Sequence, residues 1–187
     1  MSTIARWTLA DYDRMIAVGV FDRGPRRRME LIHGELRDMT PIGPEHEEIV
    51  DCLDAWSHAC VPAERIRVRV QNSINLPGLG SAPEPDIVWA VQRGYRRGRP
   101  AARDVLLLIE VAETSLDYDT GEKAGLYAEA GIPDYWVVNV PEQCVEVRRD
   151  PADGRYRSLR TFSGDAEVRP LALPEAVLRP AQLFPGE

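Results

Sequence analysis

Lysine is almost absent from this chain. Of 23 basic residues among 187, only Lys123 is lysine and the others are arginine. Two readings of that scarcity stand side by side. An arginine-rich composition can leave one lysine as a remnant on a solvated helix, or the position needs a compact ammonium, which a broad planar guanidinium cannot imitate beside a metal or a phosphate. The second reading holds only where acids stand close by. The apolar run Val105 to Val111 is interrupted by one, Glu110.

Other absences exclude whole classes. The three cysteines, Cys52, Cys60 and Cys144, are odd in number and form no CxxC pair, which argues against both a zinc site and a disulfide framework and for reduced thiols. No apolar run approaches the roughly twenty residues of a bilayer crossing. The N-terminus carries Arg6, Asp11, Asp13 and Arg14 in place of a signal-peptide core, so a soluble, cytoplasmic protein without a membrane partner is expected. No glycine-rich loop sits on a strand-to-helix turn, which disfavours Rossmann and P-loop enzymes. Ser73, Ser81 and Ser115 lack the setting of a nucleophile elbow, and no internal repeat is visible. A net charge of −7 argues against nonspecific coating of nucleic acid. Arginine nevertheless clusters at Arg26 to Arg28, at Arg65, Arg67 and Arg69, and in the loop Arg93 to Arg103, where only geometry can turn a solvated face into a set of phosphate contacts.

What is present suits one domain over 1–187, since the length and a 44% hydrophobic content are enough for a core. Its parts are an N-terminal helix and hairpin (1–40), a central core (41–150), and C-terminal strands with a tail (151–187). Thr8 caps a short helix that ends near Gly19, and two short strands flank the His33-Gly34 turn. Ile49, Cys52 or Leu53, Trp56 and Cys60 recur at helical spacing over Pro44 to Cys60, with His46 in the first turn. Arg65 to Gln71 alternates as a half-exposed strand, Asp86 opens another at Pro85, and Val105 to Val111 reads as a strand buried in the middle of a sheet. A helix over Asp119 to Ala130, stopped by Gly131, carries Lys123. Strands follow over Tyr135 to Val140, Cys144 to Arg149 and Tyr156 to Phe162. The proline-rich tail after Leu171 is expected to lie extended on the surface, and Tyr135-Trp136 is expected in the core. The order gives an α/β fold bordering on α+β, with a mixed central sheet flanked by helices.

Asp86 starts one strand and Glu110 ends another, so a sheet would set the two acids side by side. Two buried carboxylates repel unless a cation or proton separates them. Such oxygen-only ligation suits Mg²⁺ or Mn²⁺, with backbone carbonyl and water completing the shell. A Glu110–Lys123 ion pair with Asp86 as a turn former would explain the same spacing.

The chain resembles the Uma2-type (DUF820) endonucleases of the PD-(D/E)xK restriction-endonuclease-like superfamily over about Glu30 to Val140. The likeness rests on Glu30-Leu31-Ile32-His33-Gly34-Glu35, His46, Pro85-Asp86-Ile87-Val88, Leu108-Ile109-Glu110-Val111, and Asp119, Lys123 and Tyr127 leading to Gly131-Ile132-Pro133-Asp134-Tyr135-Trp136. It implies that Asp86, Glu110 and the Val111 carbonyl hold Mg²⁺ (or Mn²⁺), which activates a water for hydrolysis of DNA. Ala112 stands where the plain superfamily motif has lysine, and the resemblance implies that Lys123 is offered from the following helix instead. Glu30 would be a second acid or second-metal ligand, or a partner of the Arg26 cluster. His46 would assist proton transfer or make a polar contact, and Gln71 would hydrogen-bond a metal ligand. Cutting both strands of a duplex suits a homodimer or larger homo-oligomer. The alternative is a non-catalytic oligomeric interaction or nucleic-acid-binding protein that keeps the fold.

Overall fold

The computed structural model describes residues 5–22 and 28–184. Arg26 and Arg27 of the first arginine cluster lie outside those residues. Thr8 caps helix α1 (Leu9–Ala17) in a reciprocal box with Asp11, and the helix stops before Gly19, which adopts positive φ. Strands β1 (Met29–Ile32) and β2 (Glu35–Asp38) form the expected hairpin. Its two-residue turn has positive φ at both His33 (49°) and Gly34 (77°), the mirror-image geometry that matches strand twist.

Helix α2 (Pro44–Cys60) begins with proline in the first turn, where the missing N–H costs nothing. It precedes β3 (Ile66–Val70), β4 (Ile87–Val91) and β5 (Val105–Ala112). Two helices, α3 (Leu116–Thr120) and α4 (Glu122–Glu129), lead to β6 (Asp134–Asn139), β7 (Cys144–Ala152) and β8 (Arg155–Ser163). Six strands make one sheet in the order β3-β4-β5-β6-β7-β8. Every neighbouring pair is antiparallel except β5 and β6, which run parallel and are joined by the α3–α4 crossover. The mixed sheet flanked by helices is the α/β architecture expected. No helix among the described residues is long and apolar enough to cross a membrane.

Alternation along the central strands builds two cores. Ile87, Trp89, Leu107, Ile109, Val111, Trp136 and Val138 face α2, while Val88, Ala90, Leu108, Ala112, Tyr135 and Val137 face α4. Tyr135 and Trp136 are fully buried, as core residues should be.

The sequence expectations fail in two places. A single helix was expected over Asp119 to Ala130, but the chain breaks at Gly121, whose ψ of −94° is not helical. A Cβ there would stand 2.6 Å from the Asp117 carbonyl oxygen, so the kink depends on glycine. The tail after Leu171 was expected on the surface, yet Leu173, Ala176, Leu178 and Leu183 are buried in the α2-side core, beside Val168. Polar anchors fix it there: Trp56 Nε1 donates to the Val177 carbonyl at 2.9 Å, the Leu171 N–H to Asp134 at 2.8 Å, and Val168 and Leu178 exchange backbone hydrogen bonds. The sheet face beyond the end of α2 would otherwise be wet, and burying apolar side chains over it outweighs the extended habit of prolines.

Candidate active site

Antiparallel pairing of β4 with β5 sets Ile87 opposite Ile109, so Asp86, one residue before β4, comes level with Glu110, near the end of β5. Both belong to the sheet face that carries α4. Asp86 and Glu110 are only 6% and 3% exposed, and Lys123, on the first turn of α4, is 4% exposed. All three line one cavity of about 270 Å³, together with Glu30, His46, Val111, Tyr118 and Asp119.

Lys123 Nζ donates to Glu110 Oε1 at 3.0 Å and stands 3.6 Å from Glu30 Oε2 and 3.7 Å from Asp119 Oδ1. Burial alone would lower its pKa, but Glu110, Glu30, Asp119 and Asp86 hold it well above the usual lysine value, so the ammonium stays charged. Glu110 is raised well above the ordinary carboxylate range, first by burial and then by Asp119 and Asp86, against the pull of Lys123. Tyr127 also donates to Glu110 Oε1, at 2.7 Å, so both hydrogen bonds fall on one oxygen.

Asp86 has its own support. His46 Nε2 and Gln71 Nε2 approach Oδ1 at 3.1 and 3.2 Å, and the Val111 N–H donates to Oδ2 at 2.9 Å. Burial would raise Asp86, but the hydrogen bond and charge of His46, the Val111 N–H and Lys123 together hold it below the usual value. His46 is raised in return: burial opposes its charge, and Asp86 and Glu113 outweigh burial.

Glu30 and Asp119 are pinned from other directions. Tyr118 donates to Glu30 Oε1 at 3.1 Å, the Glu84 N–H to Glu30 Oε2 at 3.2 Å, and the Ser115 hydroxyl to Asp119 Oδ2 at 2.5 Å. Glu30 therefore does not pair with the Arg26 cluster through Arg28, which reaches Glu84 at 3.6 Å instead. The structure brings together all the residues singled out from the sequence: Asp86, Glu110, Lys123, Glu30, His46, Val111 and Gln71. It gives Asp119, named above only as part of the family pattern, a place as a third acid on the lysine, and it adds Tyr118 as a donor. The i,i+4 spacing of Asp119 and Lys123 was a usable signal; nothing local marked Tyr118.

A divalent cation fits these residues by charge and by donor type. Glu30, Asp86, Glu110 and Asp119 are four buried carboxyls set against one ammonium and one imidazole, leaving two negative charges uncompensated when all are ionised. Of about four acceptor positions on Asp86, three are used, and one on Oδ2 is left. The Val111 carbonyl shares the side of β5 from which its N–H reaches Asp86, beyond the first residue of β4, so no ladder bond to β4 claims it. Among the described residues no group of three His, Cys, Asp or Glu is placed to hold a metal ion, so the protein would offer at most two carboxylates and the Val111 carbonyl. Mg²⁺ commonly takes one or two carboxylates and leaves the rest of its shell to water and phosphate.

A six-stranded mixed sheet flanked by helices is a nuclease-like α/β fold. A crystal structure of "a putative nuclease belonging to DUF820" from Anabaena variabilis ATCC 29413 has this fold, with a TM-score of 0.71 over 95% of this chain and 97% of that one. Their sequences are 18% identical. The chain belongs to the Uma2 family, described as "Putative restriction endonuclease", whose model matches residues 9–181. No protein of curated function matches it.

Proposed function

We propose that this protein is a Mg²⁺-dependent endonuclease that hydrolyses phosphodiester bonds in DNA, with Mn²⁺ as an alternative ion. The observation that carries the reading is the gathering of four buried carboxyls, Glu30, Asp86, Glu110 and Asp119, around one ammonium in a single cavity of about 270 Å³. Family membership supports it.

Asp86, Glu110 and the Val111 carbonyl would hold the cation. When bound, it neutralises the scissile phosphate and makes water a stronger acid. The protein's own groups do the positioning. His46 and Gln71 fix Oδ1 of Asp86 and the Val111 N–H holds Oδ2, so this carboxylate is oriented and ionised before substrate arrives. Tyr127 and Lys123 both engage Oε1 of Glu110, which leaves Oε2 for the cation. Glu30 and Asp119 keep the ammonium at the cavity wall, where it can orient the attacking water and offset charge that builds on the phosphate. Arginine could not serve in this place, because its planar fork would not fit between three carboxylates spaced around a single point.

The same ion pairs support a second reading, in which Lys123 closes a purely structural cluster in an oligomeric, non-catalytic protein. The readings part experimentally. Cleavage of plasmid and single-stranded DNA with Mg²⁺ or Mn²⁺ should be lost in both Lys123→Ala and Lys123→Arg. Either ion should raise the melting temperature of the wild type, and Asp86→Ala should abolish the shift. Wild type that cuts no DNA and melts at the same temperature with and without metal would leave the structural reading.

A further inference from the structure

The chain is acidic overall, yet residues 65–103 hold eight arginines against two acids, Glu84 and Asp86. Pairing on the sheet turns part of that excess toward the cavity. Ile66, Val68 and Val70 pack into the α2-side core, so Arg67 and Arg69 project from the opposite face of β3. Their cross-strand partners are Ala90 and Val88, members of the second core, on the same face as Asp86. Gln71, just past the end of β3 at a positive φ of 47°, hydrogen-bonds Asp86 at 3.2 Å. Arg69 and Arg67 thus lead away from the end of β3 that touches Asp86, along the edge of the sheet.

The nearby acids are taken by other arginines, and the hydrogen bond Arg67 makes is a long one, from Nη1 to the Arg93 carbonyl at 3.5 Å. Asp104 pairs with Arg93, and Asp13 with Arg99 at 2.6 Å. Among the described residues no carboxylate lies within ion-pair distance of Arg67 or Arg69. The buried Nε of Arg69 has no hydrogen-bond partner, and its guanidinium lies 5.5 Å from the centroid of the Tyr95 ring. Arg93 reaches the same ring at 5.5 Å, so Tyr95 ties the arginine loop to β3, and the exposed Arg96 and Arg97 follow directly in that loop. Burial and the neighbouring charges of Arg67 and Arg99 depress Arg69, the signature of cations held together without an anion between them.

We propose that Arg67 and Arg69, with Arg96 and Arg97 in the adjoining loop, form the track along which the sugar-phosphate backbone of the nucleic acid runs out of the cavity. Side chains on one face of a strand repeat about every 6.7 Å, so Arg67 and Arg69 offer two cations in line, which suits successive phosphates of a chain better than a single phosphate. The proposal rests on the phosphodiesterase reading of the neighbouring acids, and its test separates the two.

Binding is measured in EDTA, where no cutting can occur, by fluorescence anisotropy of a labelled duplex of about 20 base pairs between about 50 and 200 mM salt. Arg67→Ala/Arg69→Ala and Arg96→Ala/Arg97→Ala should each weaken binding and reduce the slope of log affinity against log salt by about two. Arg160→Ala, on the opposite edge strand β8, should leave the slope unchanged. Arg96 and Arg97 are exposed loop residues, so their double variant remains informative if the β3 double variant fails to fold. A wild type that does not bind DNA, or a folded double variant with unchanged slope, overturns the track. Cutting with Mg²⁺ is scored separately: retained cutting with unchanged slopes sinks the track alone, and arginine-dependent binding without cutting sinks the nuclease reading alone.

Discussion

Replacing Lys123 by alanine removes the one cation that Glu110, Glu30 and Asp119 share at 3.0, 3.6 and 3.7 Å. None of these four residues is more than 4% exposed, so the three acids lose their shared charge partner in surroundings that solvate them poorly. Breaking a buried pair by deleting one partner costs about 3–5 kcal/mol. At roughly 2–4 °C per kcal/mol for a chain of this length, the melting temperature should fall by on the order of 10 °C near neutral pH. Lys123→Met, which keeps the apolar stem, should lose nearly as much, because the loss is one of charge. The deficit should also depend on pH with a definite sign. Burial already holds Glu110 and Asp119 above their ordinary values, and losing Lys123 raises them further. A carboxyl raised in the folded state binds its proton more tightly there than in the unfolded chain, so acidification stabilises the variant. The deficit should therefore be largest near about pH 8 and shrink toward about pH 5. Urea unfolding of wild type and both variants across that range measures it. A deficit below about 1 kcal/mol, the size of a surface ion pair, or one that grows on acidification, would refute the account of the cluster.

Gly121→Ala should cost about 1–3 kcal/mol by forcing the Asp117 carbonyl away from a Cβ 2.6 Å distant, and because α4 carries Lys123, DNA cleavage should fall more than the melting temperature implies. Leu178→Ala should cost about 2–5 kcal/mol in chemical denaturation, the range for a core leucine and not for a surface tail. His46 should titrate above the ordinary 6.5 in an NMR pH series, and Asp86→Asn should lower it. The sign of its stability contribution follows: with a raised folded pKa, charged His46 stabilises fully below 6.5, and that contribution fades as pH rises through the folded value, whereas the part owed to the lowered Asp86 is lost as pH falls through the carboxylate range.

The strand frame and most of the site were legible because their signals are local. An acid interrupting an apolar run, an acid at the mouth of a strand and a solitary lysine each stand out in the sequence, and pairing between β4 and β5 then brings the acids level. Glu30 was visible only as a strand acid; its attachment to Lys123 depends on how the hairpin docks, a contact across 93 positions of sequence that no periodicity encodes. Tyr118 was missed for the same reason, since its partner Glu30 lies 88 residues away. The tail was misread because its prolines signal extension, and extended chain is equally suited to crossing a wet surface and to laying Leu173, Leu178 and Leu183 onto a sheet.

The break at Gly121 shows why the site could not be completed from spacing alone. On one continuous helix, Asp119 and Lys123 would sit at i,i+4 on a common stripe and satisfy each other as an ordinary surface pair. Instead Asp119 ends its own short helix, where Ser115 holds its far oxygen, and Lys123 starts the next, with its ammonium closer to Glu110 than to Asp119. The kink converts a local pair into a shared ammonium among three acids drawn from a hairpin, a central strand and a crossover. With Asp86 alongside, four buried carboxyls stand against one ammonium and one imidazole, so their repulsion must be relieved by a bound proton or a further cation.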